Sequence, residues 1–148
     1  VGFPGETHDD FRDMLDLLEE VQFDYLGAFP YSVEEDTRAA TMPGQVPDVL
    51  KRERLEELLE LQRSITLDRN ERRVGRMVPV LIDRITGRDS LMDMPEARGA
   101  IGRTKGQALE IDGVVYIDDA ANVVAGQFVE VMLESATDQD FTGRVVKT

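Results

Sequence analysis

Cysteine is absent from the 148 residues, and histidine occurs once, at His8. Without thiols the chain forms no disulfide, offers no thiolate to a metal and carries no Cys nucleophile. A lone imidazole beside Asp9 and Asp10, at the start of a helix pattern, makes neither a metal site nor the centre of a Ser-His-Asp relay. It reads as an exposed helix-start residue. Long apolar runs are missing too: stretches such as Val78–Ile82 and Val114–Ile117 are far too short to cross a bilayer, and no basic-then-apolar leader is present. The expectation is a cytoplasmic protein. Positive charge is scarce, with 17 Lys and Arg against 30 Asp and Glu, a net −13. Such a balance repels nucleic acid phosphates and favours cationic partners, although an acidic surface also serves solubility alone. With 41% hydrophobic and 32% charged residues, the rest of the composition is that of a globular chain long enough for one domain or two small ones.

The chain opens Val1-Gly-Phe-Pro-Gly without an initiator Met and reads as the tail of a buried strand entering a Gly/Pro turn, so truncation at residue 1 is expected. Thr7 with Asp10 makes a capping-box pattern, and Asp9 is well placed for the helix dipole. Phe11, Met14, Leu15 and Leu18 then fall at i, i+3, i+4 and i+7, predicting an amphipathic helix over about 8–20. Phe23, Tyr25 and the run Leu26–Phe29 have strand length and composition. Strand, helix, strand implies a βαβ unit of a parallel sheet, in which ligands sit beyond the carboxyl ends of the strands. Those ends are the loops Gly2–Thr7 and Pro30–Ala40. The first has glycines that allow close backbone approach but lacks the Lys and spacing of a Walker A loop.

Pro47 suits a first helical position, and a helix is expected from Asp48 to about Arg73, with Leu55, Leu58, Leu59, Gln62 and Ile65 on one face and Gly75 as its stop. It is expected to pack, solvated, on the outside of its domain. Beyond Gly75 the period becomes strand-like. Met77–Ile85, Ala97–Thr104, Gly113–Asp118, Gln127–Glu134 and Phe141–Val146 are five strand candidates, and Leu91–Pro95 reads as a loop. Five short strands suggest a small antiparallel barrel like an OB fold. The fold class is thus α/β plus all-β, divided at 1–74 and 75–148. The second part holds eight basic residues against twelve acidic, net −4, so it lacks the charge of an RNA-binding face. Tyr116, Phe128 and Phe141 lie within strands and read as packing residues, not stacking platforms.

Three segments carry a resemblance: Val1-Gly-Phe-Pro-Gly-Glu-Thr7, Phe29-Pro-Tyr-Ser32 and Thr37-Arg-Ala39. They resemble the second half of the radical S-adenosylmethionine (SAM) barrel in methylthiotransferases. The strand-rich part resembles a TRAM domain. Gly102-Arg-Thr-Lys-Gly-Gln-Ala-Leu-Glu-Ile-Asp-Gly113, with Val114-Val-Tyr-Ile117, is similar to the ribosomal-protein methylthiotransferases of the RimO type, where this stretch typically reads APEIDG. Two positions depart from that pattern. Leu109 stands where Pro is usual, and Asp36 stands where Gly is usual.

The resemblance implies an incomplete radical SAM barrel followed by a TRAM domain. The parent would be a transferase that adds a methylthio group to the β-carbon of an aspartate in a basic small-subunit ribosomal protein. It implies SAM and two 4Fe-4S clusters as cofactors, one held by a CxxxCxxC motif, with none of the cluster cysteines in this chain, which alone would be inactive. The protein's part in such chemistry is placement. By the same resemblance Gly2, Phe3, Gly5, Glu6, Phe29, Tyr31 and Ser32 would lie along the cofactor, and Arg103, Glu110 and Asp112 would meet the substrate; no catalytic residue or metal ligand is implied. The alternatives are a tRNA methylthiotransferase with an RNA-binding TRAM domain, or a binding module without catalysis. A partial parallel barrel leaves an edge and an apolar face open, so self-association is also expected.

Overall fold

The computed structural model describes residues 1–87, 99–120 and 122–146. The chain separates into two compact units, Val1–Thr66 and Leu67–Thr148. The Leu91–Pro95 loop and the first two residues of the second strand candidate lie outside the described residues.

In the first unit, α1 spans His8–Val21. The capping box forms as its sequence dictates. Thr7 Oγ1 accepts from the Asp10 amide at 3.1 Å, and the Asp10 carboxylate accepts from the Thr7 amide at 2.8 Å. Gln22 ends the helix in a left-handed conformation with its amide returned to the Leu18 carbonyl. Phe11 and Leu18 bury against Leu58 and Ile65 of α2, Asp48–Glu71, with Met14, Leu15, Leu26 and Ala28 around them. The segment after α1 forms no strand ladder. It is tied instead to α2, Gln62 Nε2 donating to the Phe23 carbonyl at 2.8 Å and the Thr66 hydroxyl to the Asp24 carbonyl at 3.1 Å. Only at its end does the parallel pattern appear: the Val1 amino group donates to the Phe29 carbonyl at 3.0 Å, and the Tyr31 amide donates to the Val1 carbonyl at 2.8 Å. That pair of slanted bonds is one rung of a parallel ladder. Val1 alone lies alongside, so the expected strand is reduced to one rung.

The buried stripe of α2 also differs from the expected one. Lys51, Arg54, Leu58, Gln62, Ile65 and Thr66 are buried, whereas Leu55 and Leu59 are only half-buried. The first turns of the helix face loop backbone and a carboxylate, so charged and amide groups occupy the inner positions there.

The second unit is a closed barrel in the order β1-β2-β3-β5-β4. Its strands are β1 Met77–Thr86, β2 Gly99–Arg103, β3 Val115–Ile117, β4 Phe128–Ala136 and β5 Phe141–Val145. Alternation puts Val80, Ile82, Ala100, Val115, Ile117, Val131, Leu133 and Phe141 inside. The barrel is antiparallel, as an OB-like fold leads one to expect, except at one junction, where β3 and β5 are parallel. A ring with an odd number of strands cannot alternate direction throughout, so closure forces one parallel pair. Bulges after Ile82 and Leu133 tighten the turn of the barrel wall. Asn70, in the last turn of α2, donates to the Thr137 carbonyl at 3.0 Å, and the Arg73 guanidinium lies 4.9 Å from the Phe141 ring. Gly75, at φ 80°, then turns the chain into β1.

Candidate functional site

The strand-end loop of the first unit is built around Glu6. Its Oε2 accepts from the Gly2 amide at 2.8 Å, while Oε1 accepts from Arg54 Nη1 at 2.6 Å. Arg54 also reaches the Glu6 carbonyl at 3.2 Å and stacks over the Phe11 ring at 5.4 Å. Gly2 has φ 77°, and a Cβ there would lie 2.3 Å from the Lys51 side chain, so both conformation and space require glycine. Both carboxylate oxygens of Glu6 are thus engaged within the chain, and Glu6 shapes the loop instead of projecting from it.

Gly5, at φ 91°, donates to the Gly44 carbonyl at 2.9 Å and has nothing within 4 Å of where a Cβ would stand. Phe3 is half exposed and meets the Tyr31 ring edge-on at 5.3 Å. Lys51 Nζ lies 5.4 Å from the same Tyr31 ring and 3.0 Å from Asp48. Tyr31, Ser32, Lys51 and Arg52 border a cleft of about 540 Å³. Phe29 is 80% exposed, its backbone alone bound to Val1. The structure therefore brings Gly2, Phe3, Glu6 and Tyr31 together through direct contacts or Lys51, and Ser32 joins them at the cleft, while the Phe29 side chain stands apart. Lys51 and Arg54 were missed by sequence reasoning. Their three-residue spacing, continued by Leu58, was the available signal, because it places two cations on the stripe that faces the core.

In the second unit Arg103 ends β2, and its Nε pairs with Asp83 at 3.2 Å in a half-buried setting. The loop that follows is stitched to itself. The Thr104 amide donates to Gln107 Oε1 at 2.9 Å, and the Ala108 amide donates to the Asp112 carboxylate at 2.7 Å. Asp112 therefore holds the loop closed. Glu110 is exposed and takes a left-handed φ of 61°. Gly113 packs so closely on the β4–β5 turn that a Cβ would lie 1.8 Å from the Gln139 carbonyl oxygen. The next amide, Val114, donates to the Asp140 carboxylate at 2.8 Å. Of the three residues expected to meet substrate, Glu110 alone points its charge outward without a partner among the described residues.

His8 is the exposed first residue of α1. Among the described residues, no three His, Asp or Glu side chains converge as metal ligands, and no helix is long and apolar enough to cross a membrane.

Residues 74–146 match the TRAM domain family. Across 99% of its length the chain is 40% identical to the ribosomal protein uS12 methylthiotransferase RimO of Proteus mirabilis and 40% identical to that of Clostridioides difficile. The corresponding protein of Pelotomaculum thermopropionicum is 42% identical over the same share. The chain is thus similar to RimO proteins along nearly all of its own length. It spans about a third of the length of these RimO proteins, 31% of each. The resemblance leads one to expect Gly at position 36, and the backbone there accounts for the Asp. Asp36 has φ 65°, the left-handed region that glycine enters without penalty. Aspartate is among the side chains that tolerate that region, so the loop keeps its shape at a small cost.

Proposed function

We propose that this chain is the carboxy-terminal part of a cytoplasmic enzyme that methylthiolates the β-carbon of an aspartate in a basic small-subunit ribosomal protein. The observation that carries the reading is the RimO likeness along 99% of the chain, in a sequence whose second part is acidic instead of basic. Residues 1–74 are the end of a radical SAM domain, and 75–148 are the TRAM domain that engages the protein substrate.

The first unit fits a role in framing SAM. Gly5 leaves its backbone open to close approach, and Phe3 and Tyr31 present an aromatic corner beside the hydroxyl of Ser32. Glu6, Gly2 and Arg54 keep the loop in the conformation that exposes these groups. The single parallel rung between Val1 and Phe29–Tyr31 sets the two loops side by side, as neighbouring carboxyl ends of a parallel sheet require. Iron-sulfur clusters need thiolates that this chain does not contain. When bound elsewhere in the enzyme, they and SAM supply the radical that removes hydrogen from an unactivated carbon. What this chain contributes is position: it holds the cofactor's adenosyl side and brings the protein substrate to it.

The test is an anaerobic assay of the whole enzyme, reconstituted with iron and sulfide and supplied with SAM and a reductant, on purified small-subunit ribosomal protein and on tRNA. Mass spectrometry is expected to find one methylthio group on an aspartate of the protein. Modification of tRNA, with the protein untouched, would reassign the enzyme to the tRNA-modifying branch.

A further inference from the structure

The loop between β2 and β3 is fastened at more points than a solvated connection needs. Four elements hold it: the Gln107 side chain on the Thr104 amide, the Asp112 carboxylate on the Ala108 amide, the Asp140 carboxylate on the Val114 amide, and the close seating of Gly113 on Gln139. Within this frame Glu110 adopts the left-handed backbone that a side chain resists, an arrangement that persists only when its surroundings over-determine it. The result is to turn two apolar side chains outward. Ile111 is 82% exposed and Leu109 is 52% exposed. Neither belongs to the barrel core. A loop that gains nothing for its own fold from these two residues, yet spends conformational strain to present them, is built for contact with something else.

Charge identifies the kind of partner. Glu110 stands between the two apolar side chains, and the turn that Gly113 packs against carries Asp138 and Asp140. Lys105 is the exposed cation of the loop; Arg103 is occupied by Asp83. Residues 75–148 carry eight basic and twelve acidic side chains, a balance that favours a cationic protein over nucleic acid as partner. We propose that Leu109 and Ile111 form the apolar anchor by which the TRAM domain grips a basic protein, with Glu110 pairing to a Lys or Arg at its edge. This rests on the reading that a basic ribosomal protein is the substrate, and it names the side chains that would do the gripping. Arg103 and Asp112 then act from behind, one fixing the end of β2 and the other closing the loop.

Binding of the 148-residue chain to a purified basic small-subunit ribosomal protein, by calorimetry over a range of salt concentrations, tests this. Ile111→Ser and Leu109→Ser are expected to weaken binding by about tenfold each without changing its salt dependence, since an apolar side chain fully covered in a contact carries roughly that factor. Glu110→Gln is expected to flatten the salt dependence. Phe128→Ser, at a site 68% exposed on β4, is expected to leave the affinity unchanged. Thermal melts establish that each variant folds. If the native chain binds and both loop variants bind equally well, or if Phe128→Ser is the variant that fails, the anchor is elsewhere and the substrate reading survives. If the native chain binds tRNA and not the protein, both ideas fall together.

Discussion

Replacing Arg54 or Glu6 alone is expected to damage the first unit far more than replacing both. Their side chains are 6% and 15% exposed, with Nη1 and Oε1 2.6 Å apart. In Glu6→Gln the guanidinium stays buried over Phe11 with neutral acceptors only, the new amide and the residue 6 carbonyl; in Arg54→Met the carboxylate keeps only the Gly2 amide. Breaking a buried pair by removing one partner costs about 3–5 kcal/mol, because the other charge remains desolvated. For a unit whose whole stability is on the order of 0.1 kcal/mol per residue, that is most of the margin. The double variant lays a thioether on Phe11 and keeps an amide acceptor for Gly2, so its loss should be about 1–2 kcal/mol. The coupling between the two sites is therefore at least about 4 kcal/mol if each single change costs the lower bound, well above the 0.5–3 kcal/mol typical of neighbours. Urea unfolding of the 148-residue chain, followed by far-UV circular dichroism, reports it, since α1 and α2 supply the helical signal. The coupling should hardly change with salt, because solvent ions do not reach the pair. If the single losses sum to the double loss, the pair is solvated and the loop is not held as described.

Two further outcomes follow from local geometry. Asp36→Gly relieves the left-handed residue at φ 65° and is expected to raise stability by about 0.5–1 kcal/mol in the same unfolding experiment; a loss would mean that the Asp36 side chain makes a compensating contact. The Thr7 hydroxyl and amide, aided by the Arg54 charge, hold the Asp10 carboxyl below its ordinary 3.8. A depressed folded-state value means that its stabilising contribution is complete above the ordinary value and disappears as pH falls through the folded one. Between about pH 5 and pH 2 the native melting temperature should drop more steeply than that of Asp10→Asn; parallel curves would contradict the capping role.

What the sequence determined by itself is local. The Thr7–Asp10 box, the periodic apolar positions of α1 and the alternation in β3 and β5 are short-range patterns, and each states its element without knowledge of its neighbours. The lack of cysteine likewise needed no coordinates to rule out thiolate chemistry in this chain. Other features depended on what lies across from a residue. Phe23–Phe29 has strand composition but found only Val1 beside it, since a strand needs a partner and composition does not supply one. The parallel β3–β5 pair came from closing a ring of five. Lys51 and Arg54 looked like solvated charges on a charged helix until the loop they face was in place. Glu110, Ile111 and Asp112 are adjacent in sequence, yet one carboxylate is consumed in closing the loop while the isoleucine is held outward. That division follows from which backbone amides lie within reach of each side chain, and only the folded chain decides it.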